Sequence, residues 1–430
     1  MKGFSMARFF KIEKKAIFCT MLIWITIAVT LVGGSSPVIT SFTIAKLELL
    51  FVSAYFFIHG ISSIKRICLQ NFFSPSRLYL FLAICLIMST LTNFNSDNEI
   101  ESTVVSVSVI FKIIHFIFFT VLVSTLVEFA LVQSEVFIYI PIAILFISVV
   151  VFLMGVGAFP SKLYDSSPLF PFARNIRYLG YLCTVGISIV VVLFMSEKSK
   201  VLNLFGFSCL IVSNCSLLVW LGGRGSLLSI LAVITIYCIY LYQTGELRLK
   251  RVVPLLVLLI LSVSTAYSLT CFEWNGPARF FNQGEVLQNI EDVNKLSSSR
   301  VLIWQQTLEA IGEKPWLGHG PEGYRLHPDH IFGLQPHNSI LQILVTYGII
   351  ASIILLYIFV GFLKICKKQV YDLDNNYRQE SVIATMVILG LAIHSLVDGT
   401  FYHSQPVFYA ILAAATIISI EIKEFATNIG

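Results

Sequence analysis

The chain has 430 residues, of which 57% are hydrophobic and only 12% charged, with a mean hydropathy of +0.84 and a formal net charge of +5. This balance excludes a water-soluble globular protein of this length, and the positive charge lies between apolar runs instead of forming a nucleic-acid footprint. Apolar stretches of about 18 residues or more recur from end to end, continuous rather than alternating, which predicts an all-α polytopic membrane protein and not a β-barrel.

Twelve spans are predicted, at about 16–34, 42–62, 77–94, 104–125, 136–158, 178–195, 201–221, 226–243, 252–271, 338–363, 381–399 and 406–422. The first is too long for a signal-peptide core and has no convincing cleavage site. The second carries Lys46 and Glu48 in its first turns and is the weakest of the twelve. Within the fourth, Lys112 and His115 are ionisable groups in the membrane, free to act on a substrate or to pair with Glu128 or Glu135. The nine cysteines are scattered, mostly inside spans and without a CxxC, and read as small apolar residues.

Lysine and arginine collect in alternate connections: Lys2 to Lys15, Lys65 with Arg66 and Arg77, Lys198 with Lys200, Arg248 with Lys250 and Arg251, and Lys364 through Arg378. The positive-inside rule places these and both termini in the cytoplasm. The opposite face then holds "FPSKLYDSSPLFPFARNIR", the turn "GGRG", a polar segment from Phe272 to His337, and "DGTFYHSQP". The chain divides accordingly into 1–271 (nine spans), 272–337 (a large, partly helical periplasmic loop before the tenth span) and 338–430 (three spans). Long loops with ordered chemistry are usually functional. Inside this one, Leu302, Trp304 or Gln305, Leu308 and Ile311 or Gly312 recur at helical spacing; "SSS" before Arg300 is a candidate N-cap, and Pro315 ends the helix.

Basic residues in short outer loops run against the orientation rule. Arg224 in "WLGGRGSLLS", Arg177 and Arg174 at the mouth of the sixth span, and Arg300 are therefore candidate anion binders, since a guanidinium grips phosphate at two points. Arg300 also has Glu291 and Asp292 within reach as ion-pair partners. His337 stands where a polar segment becomes a span and is either an interfacial cap or a general base, its ordinary pKa suiting proton removal near neutrality. His394 and Asp398, four apart, share a helix face with His403 just beyond; they orient a substrate or neutralise each other. His319, His327 and His330 lie close to Asp329, but no second half-site follows at standard metal spacing, so no metal is expected. There is no P-loop, HExxH or GxSxG. A transporter would show internal repeats or broken midplane helices, and neither is apparent.

The stretch "RVLIWQQTLEAIGEKPWLGHGPEGY…LQPHNSILQILVTYGIIA" resembles the O-antigen ligase and polymerase superfamily of bacterial envelopes. The resemblance rests on Arg300, Trp304, the Pro315-Trp316-Leu317-Gly318-His319-Gly320 turn, His337-Asn338 and Gly348. "GGRG" resembles the family's "SRG" turn, with Gly223 in place of serine. Ala351 stands where the ligase pattern has Gly, Thr or Tyr. The resemblance implies an inner-membrane, GT-C-like glycosyltransferase of lipopolysaccharide biosynthesis with a periplasmic active site and no cofactor. Its donor would be a glycan on undecaprenyl pyrophosphate. Its acceptor would be lipid A–core for a ligase, the favoured reading, or a growing glycan for a polymerase. His337 would be the base, and Arg224, Arg177, Arg174 and Arg300 would hold pyrophosphate. Asn338, His394, Asp398 and His403 would support the acceptor. A protein O-oligosaccharyltransferase, a further relative whose members tend to be longer, and a polyisoprenoid-glycan transporter are the remaining alternatives.

Overall fold

The computed structural model describes residues 6–32, 37–60, 76–92, 99–129, 134–155, 176–196, 201–268, 299–330 and 335–429. The described residues form helices joined by turns: α1 (Met6–Leu31), α2 (Pro37–His59), α3 (Ser76–Thr92), α4 (Glu99–Phe129), α5 (Ser134–Gly155), α6 (Ile176–Met195), α7 (Val201–Leu221), α8 (Arg224–Gln243), α9 (Leu249–Ser268), α10 (Arg300–Glu313), α11 (Ser339–Tyr371), α12 (Arg378–His394) and α13 (Ser404–Ile429), with a 3₁₀ turn at Thr400–Tyr402. Each predicted span falls on one of these helices, and α10 is the predicted loop helix. Ten are long and apolar enough to cross a membrane. The other two of the set, α3 and α12, have 17 residues each.

The bundle is built around α6. Its sequence is apolar on every side, so no face has to meet water, and it is buried from Tyr178 to Met195. It packs against α5, α7, α8 and α12. On the periphery, Trp24, Phe57, Leu256 and Ile260 turn outward. An apolar surface this extensive is at home in lipid and not in water.

The doubtful second span is sound. Glu48 is fully buried, and His115 of α4 lies 2.7 Å from its carboxylate. His115 therefore pairs with α2 and not with Glu128 or Glu135; Glu128 faces His59 at 3.6 Å instead. Lys112 donates to the Tyr347 hydroxyl of α11 at 2.9 Å. The basic end of the bundle is stitched too: Arg378 holds Glu246 at 2.7 Å.

Two expectations need correcting. Ser299 does precede α10, but its backbone is left-handed and its side chain makes no cap bond. The buried face of α10 is Ile303, Thr307 and Ala310, while Leu308 is exposed, so the apolar stripe is rotated from the predicted one. The cause is Trp304, Ile311, Tyr324 and Val345, which form a small core on that side.

The tenth span is also not the unbroken helix predicted. Gly348, at φ 72° and ψ −178°, interrupts α11, a conformation essentially reserved for glycine. The break strands helix carbonyls, and the Pro315–Gly320 turn satisfies them. His319 N donates to Val345 O at 2.7 Å, Gly320 N to Thr346 O at 2.9 Å, and Ile349 N to Pro315 O at 2.8 Å. A Cβ on Gly348 would stand 2.2 Å from Trp316 O. The glycine-rich turn and Gly348 are thus two halves of one joint. Ala351, the departure from the ligase pattern, is completely buried against Leu82 and Cys85 of α3; a small side chain is what that contact admits.

Candidate active site

The N-termini of α6, α8, α10 and α11 converge at one end of the bundle with the turn that follows α12. His337 sits at the centre. Its backbone is left-handed, φ 53°, an uncommon state for a side chain with a Cβ. Three contacts hold it there. His337 N donates to Gln335 Oε1 at 2.7 Å, Trp304 Nε1 donates to Pro336 O at 2.9 Å, and Ser339 N donates to Ser395 O at 2.8 Å. Asn338 is the N-cap of α11: its Oδ1 accepts from Ile340 N and Leu341 N, and its Nδ2 donates to Leu396 O. It positions the helix start.

Asp398 lies behind the imidazole, with Oδ1 2.9 Å from His337 Nδ1 and also accepting from Gly399 N at 2.8 Å. Burial pushes the Asp398 carboxyl up. The hydrogen bond from His337 and the charge of Arg177 outweigh it, leaving the group well below the usual carboxylate range. An ionised Asp398 makes Nδ1 the protonated nitrogen, so the lone pair is on Nε2. The Gln335 amide nitrogen, 2.9 Å from Nδ1, then lies beside the ring without sharing that proton. For His337 itself, burial lowers the pKa below the ordinary histidine value; the Asp398 hydrogen bond opposes this, and Arg177 and Arg300 reinforce it. The ring is neutral at neutral pH, as a base must be.

Three guanidiniums gather around this pair. Arg177 Nη1 lies 3.1 Å from His337 Nε2. Arg300 Nη2 lies 3.9 Å from Asp398 Oδ2. Burial lowers the pKa of Arg300, Asp398 raises it, and the charges of Arg177 and Arg224 lower it further. Arg300 Nε is buried without a hydrogen-bond partner. Arg224 opens α8 behind Gly223, where the helix dipole adds positive potential. Arg177 and Arg300 thus stand beside the Asp398 carboxylate, and Arg224 close enough to influence Arg300. Of the other anion candidates, Arg174 lies outside the described residues, as do Glu291 and Asp292.

His394 and Asp398 do not neutralise each other. Thr184 Oγ1 gives its proton to Gly180 O, so it accepts from His394 Nδ1 at 3.0 Å; His394 Nε2 then accepts from Ser226 Oγ at 3.4 Å. His394 therefore ties α12 to α6 and α8, setting the start of α8 and with it Arg224. His403 packs among Tyr178, Tyr181 and Tyr402, where burial pushes its pKa down to about 4. It lines a cleft of about 640 Å³ with Phe42, Phe111, Lys112, Arg325 and Tyr402. His330 turns to Tyr324, and His327 meets Glu313 instead, 3.0 Å away.

Sequence reasoning missed Gln335 and Gly399. A Cβ on Gly399 would overlap the Gln335 amide at 1.9 Å, so the glycine makes room for the group that braces His337. The available signal was the Gln-Pro-His-Asn run itself, a turn with an amide two residues before the histidine.

Residues 207–356 match the model of a family described as O-Antigen ligase, a stretch that includes Arg224, Arg300 and His337. The General O-oligosaccharyltransferase of Acinetobacter baylyi (strain ATCC 33305 / BD413 / ADP1) is 29% identical over 127 residues, which cover 27% of this chain. The chain spans 21% of that protein's length.

Proposed function

We propose, starting from a chain that fits the O-antigen ligase superfamily, that this membrane protein transfers a glycan from a lipid-linked donor to a sugar hydroxyl. At finer grain, the reading is an O-antigen ligase: undecaprenyl pyrophosphate carries the donor, lipid A–core accepts it, and the site faces the periplasm of the inner membrane. The observation that carries it is His337 hydrogen-bonded to Asp398, with Arg177 beside the ring and Arg300 beside the carboxylate. That pairing suits a reaction in which one oxygen loses a proton while another gains negative charge.

In the proposed step, the acceptor hydroxyl gives its proton to His337 Nε2 and its oxygen forms a bond to the anomeric carbon. The bond from that carbon to pyrophosphate breaks, and the electron pair leaves on the phosphate oxygen. Arg177, Arg224 and Arg300 stabilise the growing charge. One displacement inverts the anomeric centre, and matched charge on the leaving group makes a separate acid or a metal unnecessary. Arg177 Nη1 lies alongside the imidazole, 3.1 Å from Nε2 and 3.3 Å from Nδ1, which sets a cation beside the base where the leaving pyrophosphate would gather charge. The aromatic and cationic cleft beside His403 suits the lipid-linked sugar.

Deletion of the gene tests the reading. A ligase deletion leaves lipid A–core bare and accumulates polymerised glycan on its lipid carrier. A single repeat left on the core would instead assign a polymerase, and an unchanged envelope would reject both.

A further inference from the structure

We propose that Glu313, His319 and His327 form a divalent metal site of zinc type that clips the end of α10 to the loop following it. One ligand atom from each lies within 4.8 Å of the others. A tetrahedral zinc with bonds of ~2.0–2.1 Å separates its ligands by about 3.3 Å, so small side-chain movements close the set. Glu313 ends α10; His319 lies in the glycine turn that plugs the break in α11; His327 follows a further turn.

One hydrogen bond prepares His319. Its Nε2 donates to Ala310 O at 2.7 Å, which fixes the tautomer and leaves the Nδ1 lone pair free for an ion, the usual support for a metal-bound histidine. His327 presents Nε2 to Glu313 at 3.0 Å, and its Nδ1 accepts from Asp329 N at 3.2 Å. Without an ion, Nε2 carries the ring proton and donates it in a hydrogen bond to Glu313. Metal binding at Nε2 displaces that proton to Nδ1; the Asp329 N–H bond to Nδ1 breaks, and a small turn of the ring brings Nδ1–H to the Asp329 carboxylate, whose Oδ2 is 4.0 Å away in the ion-free chain. Glu313 is solvent-facing, so water completes the fourth position.

The site is distinct from the catalytic one. Arg300 and Glu313 stand at opposite ends of α10, about 20 Å apart along its axis. The metal therefore holds the loop that seats α11 and takes no part in the transfer step. This inference does not depend on the transferase reading.

The test uses the full chain, purified in detergent through a tag without histidines, stripped with EDTA and titrated with Zn²⁺ and with Co²⁺. One equivalent binds per chain, Co²⁺ develops the visible absorption of tetrahedral nitrogen–oxygen ligation, and Zn²⁺ raises the melting midpoint. Glu313→Ala, exposed and harmless to folding, weakens binding at least tenfold; His319→Gln with His327→Gln abolishes it; His330→Gln leaves it intact. The proposal is overturned if the wild type and the double variant bind alike, if Glu313→Ala binds as tightly as wild type, or if His330→Gln is the change that removes binding.

Discussion

Replacing Asp398 with asparagine removes one negative charge from behind His337 while keeping the shape of the side chain. Asp398 Oδ1 is 2.9 Å from His337 Nδ1, which places the carboxylate and imidazolium charge centres about 4.5 Å apart. At an effective dielectric of about 20 their attraction is worth ~3.7 kcal/mol. That attraction exists only once His337 has taken the acceptor's proton, so its loss falls on the transition state: kcat drops ~300- to 1,000-fold, with donor KM little changed. The pH profile gives an independent sign. Asp398 raises the His337 pKa against burial and Arg177. Without it the base stays neutral to lower pH, and the acid limb of the rate profile moves downward even as the rate falls. The assay is transfer of a lipid-linked glycan by purified protein in detergent or nanodiscs, with size-exclusion profiles showing intact folding. Activity within threefold of wild type, or an acid limb that moves upward, would refute the role given to Asp398.

Gly399→Ala places a methyl group on the Gln335 amide, and since that side chain can swing away the melting midpoint changes little. His337 then loses the acceptor on its backbone nitrogen, and kcat falls about tenfold with KM unchanged; a drop in thermal stability with normal kcat would make Gly399 merely structural. Gly348→Ala forces a side chain into a glycine-only conformation and against Trp316 O, costing on the order of 3 kcal/mol. Its melting midpoint falls, and hydrogen exchange at His319 N and Gly320 N rises; unchanged exchange there would deny the joint between the turn and α11. EDTA leaves the transfer rate at 25 °C within twofold of the untreated enzyme, while lowering the melting midpoint; chelator-dependent loss of transfer in protein that is still folded would place a metal in the reaction.

The bundle was legible because hydropathy acts locally: each apolar run of the right length had to become a helix. His337, Arg177, Arg224, Arg300 and Asp398 were legible for a related reason. Polar groups at the seam of a span are costly, so they stand out singly. Their partners did not. Glu48 finding His115, His394 bridging Thr184 and Ser226, and Asp398 turning to His337 instead of His394 are contacts between helices far apart in the chain, which no local pattern encodes. The face of α10 was misplaced for the same reason, since Tyr324 and Val345 decide which side is covered. Gly348 was visible as a motif position, but its purpose emerged only with the carbonyls that the Pro315–Gly320 turn satisfies.

The most direct measurement is single-turnover transfer by purified His337→Ala, with donor binding followed in parallel. If His337 is the base, transfer falls by at least a hundredfold while the donor still binds through Arg177, Arg224 and Arg300, and the variant keeps the wild-type elution profile. Transfer at the wild-type rate by folded His337→Ala would contradict the account.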